Sequence, residues 1–375
     1  MKRVHFSEIN EVDISQILDK EGYCIIDGVL DDQKCEIGVN DIWDYLEGLE
    51  SGIDRRDPTT WNYGNWPPQF YGIIKSLDIG HQKFLWDVRL DYNVKRVFAT
   101  IWDEMQLHVS YDALSIMRPP EKVKCETWDN WFHFDQGVSK KEKICVQGLV
   151  NLEDVEDGDG TLVVVPRSHL HRDDFFEDYE YDENMSFCPV NSKQLEWYQD
   201  LGMEPLPLTG KKGSMFLWDS RTMHCNMAPK TDRSNPKFRY SIYVCMTPKK
   251  FSSELDIMKR RVGLKRRCLT SHWPHSVELE QNAYYLPEIY RIRNGYFRFK
   301  RPIDNLNVTT RMLDLTILNC DENPKKLTIC EHLNKIYKCN ECFIKHENSI
   351  DNMERSEELC TSVDSILSGG HKGTE

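Results

Sequence analysis

His133 and Asp135 stand one residue apart in DNWFHFDQG, and on an extended strand side chains two apart project to the same face. An imidazole and a carboxylate placed that way can converge on one cation. His224 lies far downstream in GSMFLWDSRTMHCN, after an apolar run that would carry it back across the same barrel. Two imidazoles and one carboxylate on one face of an octahedron leave three positions open, the donor set of non-haem Fe(II) oxygenases. Those positions admit dioxygen and a bidentate 2-oxo acid such as 2-oxoglutarate, whose oxidative decarboxylation to succinate and carbon dioxide is coupled to oxidation of an organic substrate. The far carboxylate of that cosubstrate calls for a cation, best an arginine, whose planar fork pairs bidentately with a carboxylate. Arg239 opens the strand-like run RYSIYVCM with Ser241 on the same strand face, and Arg233 in the loop TDRSNPKF is the rival.

Taken singly these residues say little. A chain with twelve histidines contains a His-x-Asp triplet readily. A lone histidine is more often a core residue, and a lone aspartate more often caps a helix or a turn. The ordered combination of His133, Asp135, His224 and a following arginine is what points to iron and a 2-oxo acid.

The elements that must position these residues are legible in outline. Tyr23 to Leu49 reads as a short apolar strand, a turn at Asp27-Gly28 and an amphipathic helix capped by Asp31 or Asp32. The aromatic and proline density of WNYGNWPPQF, Trp61 to Phe70, predicts a packed loop, and FLWDVRLDYNVKRVFATIWDEM, ending at Met105, predicts one helical flank. After Gln106 the character changes to short β-rich runs: LHVSYDALSIM, CVQGLVNL, GTLVVVP, GSMFLWD and RYSIYVCM. Such a succession indicates a sandwich or barrel. The fold class expected is mainly β with flanking helices, as one catalytic domain over residues 1–300, its β core at about 106–250, followed by an extension over 301–375.

The bulk properties limit partners. A net charge of −13 over 375 residues argues against general nucleic-acid coating or binding to an anionic membrane. No run approaches the ~18 consecutive apolar residues of a membrane span, and the N-terminus has no apolar run behind its basic pair. An odd total of thirteen cysteines, mostly irregularly spaced, predicts reduced thiols and an intracellular, cytoplasmic protein.

The order HFD, GTLVVVPRSH, GSMFLWDSRTMHCN, RYSIYVCM resembles the phytanoyl-CoA dioxygenase (PhyH) family of Fe(II)/2-oxoglutarate oxygenases, and looks closest to members from microbes and large DNA viruses. The likeness spans roughly Tyr23 to Pro274, taking in YCIIDGVL and a late SHWP segment. It implies a double-stranded β-helix, or jelly-roll, core, with His133, Asp135 and His224 as iron ligands and Arg239 on the distal carboxylate of 2-oxoglutarate. It further implies that Gln147 lines the cosubstrate pocket, with an outward strand residue as the alternative, and that Asn226 stands where relatives have a serine reaching the cosubstrate. Arg167 departs from the family, whose turn has glycine there, so the turn either changes conformation or sets a cation near the mouth. Arg221 either binds substrate or pairs with Asp219. Iron halogenases of this type lack the carboxylate ligand, so Asp135 favours hydroxylation.

Two further signals stand apart. KRRVGLKRR, residues 259–267, packs six basic residues into nine; it is either a solvated helix face or a grip for a phosphorylated or CoA-linked substrate. In TICEHLNKIYKCNECF, Cys330, His332, Cys339 and Cys342 offer four ligands suited to a structural zinc and a protein partner, against the alternative of reduced surface thiols. The closing SGGHKGTE is expected to be disordered. Two function classes compete: an oxygenase acting on a small or medium organic molecule with dioxygen, and a catalytically silent jelly roll that only holds a ligand or partner.

Overall fold

The structure is a computed structural model that describes residues 1–280 except 126, 129 and 130, together with 299, 300, 312 and 315. All of these lie in the first of two units, Met1–Glu322. Cys330, His332, Cys339 and Cys342, the expected zinc ligands, and the SGGHKGTE tail lie outside the described residues.

The strands, in chain order, are β1 (Arg3–His5), β2 (Tyr23–Asp27), β3 (Ile73–Ile74), β4 (Leu107–Val109), β5 (Leu114–Met117), β6 (His133–Phe134), β7 (Val146–Asn151), β8 (Thr161–Val164), β9 (Cys188–Pro189), β10 (Leu206–Pro207), β11 (Met215–Asp219), β12 (His224–Met227) and β13 (Arg239–Pro248). The helices are α1 (Ile14–Glu21), α2 (Asp32–Gly48), α3 (Lys83–Leu90), α4 (Tyr92–Trp102), α5 (Arg172–Asp178), α6 (Ser192–Asp200) and α7 (Glu254–Arg266). The larger sheet runs β1-β2-β11-β7-β13-β5-β3, with β4 pairing the far end of β13; the smaller runs β10-β8-β12-β6-β9. Pairing is antiparallel throughout except between β1 and β2. Two antiparallel sheets packed on each other, neither closed on itself, make a jelly roll, mainly β with flanking helices.

Strand alternation explains how one sequence covers two cores. Tyr23, Ile25, Leu149, Phe216 and Trp218 of the larger sheet meet Leu162 and Val164 of β8 between the sheets. Their neighbours Cys24, Ile26, Val150, Met215 and Leu217 turn the opposite way and pack with Ile14, Leu18, Ile42, Leu46, Phe98 and Ile101 of α1, α2 and α4. A third core covers the outer face of the smaller sheet, where Phe134, Val163, Val165 and Cys225 meet Phe175 and Tyr198 of α5 and α6. Each fully buried aliphatic or aromatic side chain in these layers contributes roughly 1.5–3 kcal/mol. On β13, Tyr240, Ile242, Val244 and Met246 belong to the helix-side core, which leaves Arg239, Ser241, Tyr243 and Cys245 on the face turned toward the smaller sheet.

Local expectations fare unevenly. Asp31 caps α2, its side chain accepting from the backbone N–H of Lys34. The stretch expected to be a single helix up to Met105 is two: Asp91, with φ −61° and ψ 134°, ends α3 and caps α4 by accepting from the N–H groups of Asn93 and Val94. Apolar spacing runs through such a break unaltered, so periodicity alone conceals it. Trp61 and Trp66 do anchor a packed loop, both rings lying against Trp43 and Phe238. No helix among the described residues is long and apolar enough to cross a membrane.

Candidate functional site

His133 begins β6 and His224 begins β12, and the two are direct cross-strand partners. Because Phe134 and Cys225 point into the outer core, alternation sends His133, Asp135, His224 and Asn226 inward, against the larger sheet. His133 Nε2 lies 3.5 Å from Asp135 Oδ1 and His224 Nε2 lies 3.2 Å from Asp135 Oδ2. One ligand atom from each of the three residues falls within 4.8 Å of the others, a grouping that can hold a metal ion. For metal–donor bonds of roughly 2.1 Å, adjacent ligands of an octahedron are about 3 Å apart, so a small closure of these side chains completes one face.

The chain also fixes the chemical form of the ligands. Nδ1 of His133 is 3.0 Å from the Trp131 carbonyl, and Nδ1 of His224 is 3.0 Å from the Thr222 carbonyl. A carbonyl only accepts, so each Nδ1 carries the proton and each Nε2 presents a lone pair. Burial pushes the His133 pKa down, His224 beside it acts the same way, and the ring is kept neutral. Burial is also the largest influence on Asp135 and alone would raise its pKa. His272, His133 and His224 outweigh it and hold the carboxyl well below the usual carboxylate range. Trp131 stacks on the His133 ring at 4.5 Å, and Phe187 lies 4.6 Å from it.

Gln147, inward on β7, donates from Nε2 to Asp135 Oδ2 at 2.8 Å, and Ser220 Oγ lies 3.3 Å from the same amide nitrogen. It touches the carboxylate and is not an outward strand residue. With Oδ2 so engaged, Oδ1 is the freer oxygen. Arg239 is 3% exposed. Its Nε donates to Ser241 Oγ at 3.0 Å and its Nη1 to Asn226 Oδ1 at 3.0 Å, while its Nη2 is buried with no partner among the described residues. Burial lowers the Arg239 pKa, with no carboxylate among the groups acting on it, yet a guanidinium stays protonated in a protein. A buried cation with an unspent donor, beside the triad, fits a carboxylate ligand. Asn226 holds that arginine and gives its amide N–H to Tyr243 Oη at 2.8 Å, so the amide is committed to the protein and not left for a cosubstrate.

The other arginines separate cleanly. Arg233 donates to Glu121 at 2.8 Å and to Asp159 at 2.7 Å, which satisfies its charge away from the triad. Arg221 is paired with Asp219 at 2.8 Å. Arg167 keeps the turn that glycine would make, at φ 67°, with its N–H on the Glu21 carbonyl at 3.0 Å and its side chain exposed. Of the six basic residues in the run 259–267, three are tied into the fold, whereas Lys265 is exposed. Fully buried Arg260 donates to the carbonyls of Pro274 and Val109, Lys259 to that of Val277 and Arg267 to that of His81. Those side chains tie α7 to its surroundings.

His272, in the SHWP segment, was not foreseen as a site residue. Its Nδ1 lies 3.9 Å from Asp135 Oδ2 and 3.1 Å from Ser271 Oγ, its Nε2 is buried without a partner among the described residues, and burial first of all takes its pKa down to about 4. The position of SHWP late in the family-like stretch was its only signal in the sequence.

The model of the phytanoyl-CoA dioxygenase (PhyH) family matches residues 18–234, more than half of the chain. The chain belongs to that family. As a phytanoyl-CoA dioxygenase family member it is placed among Fe/2-oxoglutarate oxygenases, and all three metal-binding candidates fall inside the matched segment, whereas Arg239 and His272 lie beyond it. It is 28% identical to Ava biosynthesis cluster protein O of Aspergillus versicolor over 265 residues, 68% of this chain and 84% of that protein. In fold this PhyH member is similar to the crystal structure of GlcNAc Inducible Gene 2 from Candida albicans, with a TM-score of 0.56, 16% identity, and coverage of 93% of this chain and 88% of that one. It is likewise similar to a hypothetical protein from Escherichia coli, with a TM-score of 0.51, 14% identity, and coverage of 78% and 84%.

Proposed function

We propose that this chain is a non-haem Fe(II)- and 2-oxoglutarate-dependent dioxygenase that hydroxylates a small or medium organic substrate, with release of succinate and carbon dioxide. The observation that carries the reading is the pairing of the inward His133, Asp135, His224 group with Arg239, a buried cation that keeps one unspent donor. A jelly roll that only held a ligand would have no use for both. His133, Asp135 and His224 would hold the iron, and Arg239 would take the distal carboxylate of 2-oxoglutarate; Ser241, whose hydroxyl donates to Asn151 Oδ1 at 2.8 Å, is committed to the protein and braces the Nε end of the fork instead. When bound, the iron with dioxygen and 2-oxoglutarate supplies the oxidising power that a protein side chain lacks.

The remaining chemistry belongs to the chain. The carbonyls of Trp131 and Thr222 keep the two imidazoles in the ligating tautomer. Gln147 fixes the rotation of the Asp135 carboxylate, and Asn226, held by Tyr243, fixes the Arg239 fork. Trp131 and Phe187 limit tilting of the His133 ring, and the apolar layer of Leu149, Leu162, Val164 and Trp218 restricts water on the inner side. Anaerobic titration with Fe(II) and then 2-oxoglutarate tests the reading: a weak visible charge-transfer band should form, and it should be absent in His133→Ala and His224→Ala. A wild-type chain that binds both without the band would favour the silent binding module.

A further inference from the structure

Lys75 directly follows β3, whose Ile73 and Ile74 face Ser115 and Leu114 of β5. Ile74 and Leu114 belong to the helix-side core, so alternation turns Ile73 and Lys75 onto the inner face, the one that carries Ser115, Ser241 and Arg239. Lys75 falls opposite Ala113, and Arg239 opposite Met117. Four residues of β5 separate the strand positions of Lys75 and Arg239, about 13 Å at the usual strand rise, and their strands flank β5 on opposite sides, so the two side chains start from different ends of the inner face. Among the described residues Lys75 has one loose partner, Glu280 Oε1 at 3.3 Å, and 46% of its side chain meets solvent. Burial works against its charge, but Glu280, Asp112 and Asp135 outweigh it and keep the amine protonated. On the same side stands His272, whose nearest charged neighbours include Asp135 and Lys75 and whose Nε2 has no partner.

Resting on the oxygenase reading above, we propose that the substrate is an organic acid whose carboxylate docks on Lys75 and the unpaired Nε2 of His272, leaving Arg239 to the cosubstrate. An ammonium carries three donors, so Lys75 can donate to a carboxylate while Glu280 keeps one of them or swings away. The Lys75–Glu280 pair is partly exposed and worth little by itself, so its rearrangement is cheap. The neutral imidazole supplies the second hydrogen bond if its Nε2 carries the proton, which follows when Nδ1 accepts from Ser271. The polar end is thereby set on the Asp135 side of the pocket, and the carbon chain runs past the open side of the triad toward Phe187.

The test is a matched panel of straight-chain and aromatic carboxylic acids and their primary amides, added anaerobically to the Fe(II)- and 2-oxoglutarate-loaded protein. Binding is read as a shift of the visible band. The expected result is that acids shift the band and their amides do not. Lys75→Met and His272→Ala should each raise the half-saturating concentration of the best acid at least tenfold, and the 2-oxoglutarate titration of Lys75→Met should stay within twofold of wild type. His272→Gln, whose amide nitrogen can stand in for Nε2, should recover most of the loss, which a merely structural histidine would not allow. Equal binding of amides, no binding by any acid, or a Lys75→Met defect confined to 2-oxoglutarate would each overturn the assignment. If the band never forms, the oxygenase reading has failed, and the acid-over-amide preference read by thermal stabilisation of the metal-free protein still decides the Lys75 site.

Discussion

Replacing Arg239 by methionine removes a buried fork while nearly keeping its volume. Among the described residues Nη2 has no partner, and of the two N–H groups on Nη1 one is held at 3.0 Å by Asn226 while the other has only long contacts, such as Ser115 Oγ at 3.4 Å, so a distal carboxylate would gain two charge-assisted hydrogen bonds, one from each Nη. At roughly 1.5–3 kcal/mol each these sum to about 3–6 kcal/mol. At about 1.4 kcal/mol per decade, and allowing for a water that enters in place of the fork, the half-saturating 2-oxoglutarate concentration should rise by about two to three decades. Arg239→Lys keeps the charge and loses the planar fork, so about one decade is expected. The assay is anaerobic titration of the visible band with Fe(II) fixed, alongside urea unfolding to show that the variant is folded. Arg233→Met is the opposing control: it strands Glu121 and leaves Asp159 with Lys237 at 3.3 Å, so it should lower stability by about 3–5 kcal/mol and leave the 2-oxoglutarate titration unchanged. A silent Arg239→Met beside a severe Arg233→Met in that titration would refute the assignment.

Gln147→Leu should weaken Fe(II) or Co(II) binding by about 10–100-fold, measured by competition with a chromogenic chelator, because Asp135 Oδ2 loses its donor; unchanged affinity would mean Gln147 does not position the ligand. His275, 5% exposed with Nδ1 3.0 Å from Thr247 Oγ1, has its pKa taken from 6.5 down to about 4 by burial, against the opposing pull of Asp256. Its depressed native pKa means the unfolded chain binds more protons between pH 6.5 and 4, so stability should be full above pH 6.5 and fall by up to roughly 3 kcal/mol on acidification to pH 4. Urea midpoints of His275→Gln across that window should show a flatter slope, and an identical slope would remove His275 from the account. At Arg167, φ 67° costs a non-glycine residue about 1–2 kcal/mol, partly offset by the roughly 0.5–1 kcal/mol of chain entropy that glycine would bring. Arg167→Gly should therefore be neutral to slightly stabilising and Arg167→Val destabilising by at least about 1 kcal/mol in thermal unfolding; equal losses in both would show that the side chain, not the backbone, matters.

Much of this was legible because the site is built on strands. HFD and RYSIYVCM declare their facing by a period of two, and the register His224 opposite His133 follows once both strands join the smaller sheet. Gln147 was noticed, but its contact with Asp135 depends on the pairing of Trp218 with Gln147 across β7 and β11, which no local pattern encodes. Lys75 went unnoticed since a two-residue strand is too short to display alternation. The basic run does not show that its members differ: Lys265 is exposed, whereas Arg260 is buried over the Tyr111 ring and donates to carbonyls, a division that depends on what α7 packs against. The break at Asp91 was hidden for the opposite reason, the apolar spacing being continuous across it.

The alternation of β13 has a consequence for how such a protein can change. Its even-numbered residues are answerable to the helices, and its odd-numbered ones to whatever occupies the space between the sheets. Substitutions on the two faces are nearly independent debts, so the inner row can drift toward new ligands while the outer row holds the architecture constant. A library at Tyr243 and Ser115, which brace Asn226 and Arg239, would mostly change what the arginine can hold while the frame stands, whereas the same library placed at Ile242, Val244 and Met246 would mostly sample unfolded chains.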